Sequence, residues 1–110
     1  DITGNGLGHQ TFNSDDWELI IIDDFVYDRK GEYLSYCKKF NIKNFLYLRP
    51  KKGYCRSNTL ISNSRNTGLI YANGELTVFI DDYTWVQPKF LEQHWDVYND
   101  GYCMVGKTIK

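Results

Sequence analysis

The apolar residues of this chain fall in short bursts separated by polar, glycine-rich or basic stretches. "WELIII" (17–22) is a continuous apolar run rich in β-branched residues, the pattern of a strand buried on both faces in a parallel sheet. "DRKGEYLSYCKKFN" (28–41) sets Tyr33, Cys37 and Phe40 at helical spacing and carries lysines near its end, which predicts a helix. "NFLYL" (44–48) reads as a second strand and "RPKKGYCRSN" (49–58) as a basic loop. "SRNTGLIYANG" (64–74) places Leu69 and Ala72 on one helical face, with Asn73-Gly74 as a C-cap. "ELTVFI" (75–80) predicts a further buried strand, and "PKFLEQHWDVY" (88–98) a helix with Pro88 in its first turn. "YCMVG" (102–106) closes the series as a short strand. The opening "DITGNGLGHQTFNSDD" (1–16), crowded with Gly, Asn and Asp, reads as loop or frayed tail.

Strands alternating with helices define an α/β class with a mainly parallel sheet and helices on both faces. The 110 residues make one domain, large enough for a core. The sequence shows no internal repeat and no low-complexity linker.

Composition narrows the functional classes. The chain is 42% hydrophobic, 25% charged and 16% aromatic; the aromatic excess suits a packed core, pocket walls or stacking on a ring. A net charge of −1 gives no bulk field for nucleic acid or an anionic membrane. No apolar run reaches the length of a membrane span. Cys37, Cys55 and Cys103 are odd in number and widely spaced, which argues against a disulfide framework and a structural zinc site. They read as reduced thiols of a cytosolic protein.

The chemistry concentrates at strand ends. "WELIIIDD" ends in Asp23 and Asp24, and "LTVFIDD" in Asp81 and Asp82. In open α/β sheets ligands bind beyond the carboxyl ends of the strands. Four carboxylates at one edge repel one another unless a cation, a hydroxyl-rich ligand or basic side chains offset them. No P-loop, no glycine fingerprint after a strand and no Ser-His-Asp order accompanies them. His94 beside Trp95 has no second histidine nearby and reads as a packed or solvent-facing histidine rather than a metal ligand or general base.

Two of these segments resemble the family 2 glycosyltransferases of the GT-A, Rossmann-like fold. "QTFNSDDWELIIIDD" (10–24) looks like the family's approach to a second strand ending in paired acids. "RNTGLIYANGELTVFIDD" (65–82) looks like its central signature before the DxD motif, and "FLEQHW" like the helix that follows. The resemblance implies transfer of a sugar from a nucleotide-diphosphate sugar to a glycan or other acceptor, as in polysaccharide synthesis, on the cytoplasmic side and at the inner face of a membrane. It implies that Asp23 or Asp24 contacts the nucleobase or ribose. Arg65 would lie near the donor phosphates, and Asp81 near the ribose or a metal. Asp82 would turn inward beside Asp81 as a second ligand for a divalent cation, Mn²⁺ or Mg²⁺.

The second DxD acid falls on Tyr83. A neutral phenol is a poor ligand for a hard cation, so Tyr83 would hydrogen-bond a phosphate or sugar instead, or with Trp85 form a pocket wall. Lys51, Lys52, Arg56 and Arg65 would supplement or replace a metal in neutralising the departing diphosphate. The family's first strand and its acceptor half, which carries the catalytic base, have no counterpart in the 110 residues. The expectation is therefore an incomplete domain, a fragment with part of a donor site, no assignable catalytic base, and an open sheet edge able to pair with a second copy.

Two other readings compete. A receiver-like signalling module also gathers acids at strand ends, but "NFLYLRP" offers Arg49 where that module needs an Asp. A non-catalytic, nucleotide-binding relative of the transferases is the other.

Overall fold

The computed structural model describes residues 2–50, 60–81 and 83–102, with side chains of the third helix described from residue 63 onward. The predicted basic loop beyond Pro50, the strand beyond Tyr102, and Asp82, Cys55 and Cys103 lie outside the described residues.

The elements run in the order α1 (Ile2–Gly8), a 3-10 turn (Ser14–Asp16), β1 (Leu19–Ile22), α2 (Lys30–Lys39), β2 (Phe45–Leu48), α3 (Leu60–Tyr71) and α4 (Phe90–Asn99). β1 and β2 pair in parallel, Leu19 opposite Phe45 through Ile22 opposite Leu48. The crossover between them is α2, so the α/β class with parallel strands holds. α2 buries Cys37 completely, one turn from the half-buried Tyr33 and Phe40, as the helical spacing predicts. Burial also raises the pKa of the Cys37 thiol, which keeps it protonated and unreactive.

The core lies on one face of β1. Leu7, Cys37, Ile42 and Val86 form its buried centre, and Leu19, Ile21, Phe45, Ile80 and Phe90 pack around them. The alternate residue Ile22 points to the other face, where Gly68 of α3 comes against it. Helices thus cover both faces, and period-two alternation sends Asp23 to the same side as Leu19 and Ile21.

Three expectations are corrected. The glycine-rich start is a helix over 2–8, not a loop. Its glycines serve close packing: a Cβ at Gly4 would meet Phe40 Cδ2 at 2.5 Å and the Tyr36 ring at 2.6 Å, and one at Gly6 would meet the Val86 backbone at 2.8 Å. Residues 75–80 are not a ladder strand. They bear strand-forming side chains, but a strand exists only through a neighbour's hydrogen bonds, and the two-stranded sheet contains β1 and β2 alone among the described residues. Asn73-Gly74 does not cap α3 in the left-handed conformation, since Gly74 has no positive φ. The Asn73 amide instead donates to the Glu18 carboxylate at 2.9 Å.

α4 starts at Phe90, two residues after Pro88, whose segment forms a turn closed by the Phe90 amide on the Gln87 carbonyl. The amides of Leu19 and of Asp23, just past β1, donate to the carbonyls of Asn44, just before β2, and of Leu48. The intervening amides of Ile20 and Ile22 therefore point to the opposite edge, which no described strand covers.

Candidate donor site

Beyond that open edge lies a cleft of about 1010 Å³. One wall is β1, through Leu19, Ile20 and Ile22; another is the 73–81 segment; α3 contributes Ser64, Arg65 and Gly68. Asp24, Arg65 and Asp81 all line it, so three of the six residues singled out from the sequence share one cavity. Asp23 and Tyr83 do not line it, and Asp82 lies outside the described residues.

Asp23 sits in a different environment. It is 4% exposed, and its carboxylate is surrounded by donors. Arg29 forks onto it, with Nε 3.0 Å from Oδ2 and Nη2 2.5 Å from Oδ1. The Tyr47 hydroxyl donates to Oδ2 at 2.6 Å while accepting the Arg29 amide at 3.0 Å. The Phe25 amide donates to Oδ1 at 3.3 Å. A carboxylate has about four acceptor positions, and these four donors fill them. The Arg29 hydrogen bonds, aided by those from Tyr47 and Phe25, overcome the desolvation of burial and hold the Asp23 pKa at about 2. The guanidinium of Arg29 also stacks 4.1 Å from the Phe25 ring centroid, a cation–π contact.

The neighbouring acid is exposed and faces the cleft. Of the two adjacent acids, Asp23 is thus saturated by the protein and Asp24 is exposed at the cleft.

At the end of the 75–80 segment Asp81 is open. Its side chain is 87% exposed, and the Arg65 guanidinium lies 3.8 Å away. Arg65 itself spans 5.7 Å to the Phe79 ring centroid. An ion pair this exposed adds little stability, which leaves both charges available to a ligand. Tyr83 has a left-handed backbone, φ 61°, and is 80% exposed. That conformation is unusual for a bulky residue and turns the chain sharply after the strand-like segment. Trp85 is also exposed and does not line the cleft.

His94 lines the cleft packed edge-on against Phe90, ring centroids 4.6 Å apart, and burial lowers its pKa. Of the packed and solvent-facing alternatives, it is the packed one, and burial favours its neutral form.

The described residues do not assemble a donor set for a divalent cation. Asp81 is one carboxylate already beside a guanidinium, and no three His, Cys, Asp or Glu side chains come together among the described residues in a group able to hold a metal ion.

Sequence reasoning missed Arg29, Tyr47 and Arg49 as partners of the β1 end. A signal was present. Extending the parallel register by one residue past Ile22 and Leu48 sets Asp23 beside Arg49.

The cleft runs along β1 from Trp17 to Asp24, and Asp24, Arg65 and Asp81 lie among its charged lining residues; in open α/β sheets ligands bind beyond the carboxyl ends of the strands. The sequence fits the model of Glycosyl transferase family 2 over residues 5–110, and the chain belongs to that family. It is 37% identical over 94 residues to the poly(ribitol-phosphate) beta-N-acetylglucosaminyltransferase TarP of Staphylococcus aureus (strain N315). That match covers 84% of this chain and 26% of the relative, so the chain spans about a quarter of that protein's length. No solved structure matches it significantly. No helix among the described residues is long and apolar enough to cross a membrane.

Proposed function

We propose that this chain is the donor-binding part of a glycosyltransferase that moves a sugar from a nucleotide-diphosphate sugar to a glycan or other polyhydroxyl acceptor. The observation that carries this reading is the meeting of Asp24, Arg65 and Asp81 in one cleft of a family 2 chain. Exposed carboxylates are suited to the hydroxyls of ribose and to the N–H edge of a base. The guanidinium of Arg65 is suited to the diphosphate, whose negative charge grows as the glycosidic phosphate bond breaks. Asp82 would assist Asp81, and the basic residues Lys51, Lys52 and Arg56 would supplement Arg65 in neutralising the diphosphate. Tyr83 would border the site from outside the cleft lining.

The relative's name indicates transfer to a poly(ribitol-phosphate) chain, which supports a polyhydroxyl polymer as the acceptor here. The uncovered edge of β1 would receive a further strand or a second copy. A divalent cation would need ligands beyond the described set, so charge compensation is assigned first to Arg65.

Calorimetric titration with UDP and with GDP, each with and without Mn²⁺, tests the reading. Binding of one nucleotide, weakened at least about tenfold by Asp81→Ala, is expected from loss of a hydrogen bond to a charged group. A chain that binds neither nucleotide under any of these conditions contradicts the donor-site reading.

A further inference from the structure

The loop after β1 is held from both sides, and the residue between the two anchors is Asp24. On one side, Asp23 is fixed by Arg29 and Tyr47. On the other, the Phe25 amide is tied back to Asp23 and the Phe25 carbonyl accepts from Arg49 Nη2. Arg49 Nη1 donates to the Tyr27 carbonyl at 2.7 Å and lies 3.9 Å from Asp23 Oδ2. One guanidinium therefore bridges two loop carbonyls and the buried carboxylate. Arg49 stands at the end of β2, the strand beside β1 in the sheet, so the loop is fastened to the rigid part of the fold.

We propose that Arg49 is a positioning residue for donor binding: its fork fixes the 24–27 backbone so that Asp24 presents its carboxylate to the cleft. This rests on the donor-site reading above. It differs from treating Arg49 as the first cation of a basic, phosphate-binding stretch, because its donors are turned onto the protein's own carbonyls. A lysine keeps the charge but lacks the rigid fork needed to span two carbonyls. The charge-only role survives Arg49→Lys; the positioning role does not.

The test is a double-mutant cycle on UDP affinity in the full chain, with Arg49→Lys, Asp24→Asn and the pair, each checked by thermal melting. The expected result is about a tenfold loss for each single variant and no further loss when Arg49→Lys is added to Asp24→Asn, a coupling that a merely structural contribution does not produce. Equal losses from Arg49→Lys in both backgrounds, or wild-type affinity in Arg49→Lys, overturn the proposal. Unchanged affinity in Asp24→Asn overturns it while leaving the donor site standing. Absence of UDP and GDP binding by the wild type overturns the donor-site reading and the proposal with it.

Discussion

The ends of the two acidic segments look alike as sequence, an apolar run followed by Asp-Asp, yet the structure treats them in opposite ways. At the end of β1, Asp23 is buried and receives four hydrogen bonds from Arg29, Tyr47 and Phe25. At the end of the 75–80 segment, Asp81 is 87% exposed and, among the described residues, pairs loosely with the Arg65 guanidinium. The difference shows what a carboxylate can do. A fully satisfied buried one fixes backbone and has no acceptor left for a ligand; an exposed one adds little to the fold and keeps its acceptors free. β1 supplies both kinds in adjacent residues, since the pleat that buries Asp23 turns Asp24 the other way.

The comparison breaks most visibly at Asp23. Asp23→Ala leaves Arg29 and the Tyr47 hydroxyl without their acceptor, and stability measured by urea unfolding is expected to fall by about 3 kcal/mol. Next in size is an acid dependence. The folded pKa of Asp23, about 2, lies below the 3.8 of an unperturbed aspartate. The unfolded chain therefore binds the proton first, and the Asp23 contribution is present above about pH 4. It is lost as pH falls from about 4 to about 2, amounting to about 2 kcal/mol. Stability–pH curves of the wild type and Asp23→Asn should differ in slope across that window.

Smaller again is Tyr47→Phe, which removes one donor to Asp23 and one acceptor of the Arg29 amide and should cost about 1–2 kcal/mol in the same unfolding assay. Smallest for the fold is Asp81→Ala, where a change within about 0.5 kcal/mol is expected although nucleotide affinity drops.

Much of the architecture was legible because periodicity is a direct image of burial. The Tyr33-Cys37-Phe40 spacing gave α2, and the apolar runs gave β1 and β2 to within two residues. Two features misled for physical reasons. Glycines at 4, 6 and 8 signal a turn in isolation; here the absence of a side chain lets Tyr36, Phe40 and Val86 lie against α1. The "LTVFI" stretch carries strand propensity, but propensity describes side chains, and a ladder needs a partner's backbone.

In the site, acids at strand ends were visible, and so was Arg65. The separation of Asp23 from Asp24 was hidden because "LIII" is apolar at every position and does not announce which face meets the core. Arg49 was read as part of a basic loop because its partners, two carbonyls of a loop 22 and 24 residues earlier, leave no mark on side-chain patterning.

The most direct test of the contrast is a pair of thermal melts, Asp23→Asn and Asp81→Asn, each recorded with and without saturating UDP. The account predicts that Asp23→Asn lowers the ligand-free melting temperature by about 10 °C. Asp81→Asn should keep the wild-type melting temperature and be stabilised less than the wild type by UDP. An Asp81→Asn protein that melts early yet is stabilised by UDP as much as the wild type, beside an Asp23→Asn protein of wild-type stability, would contradict it.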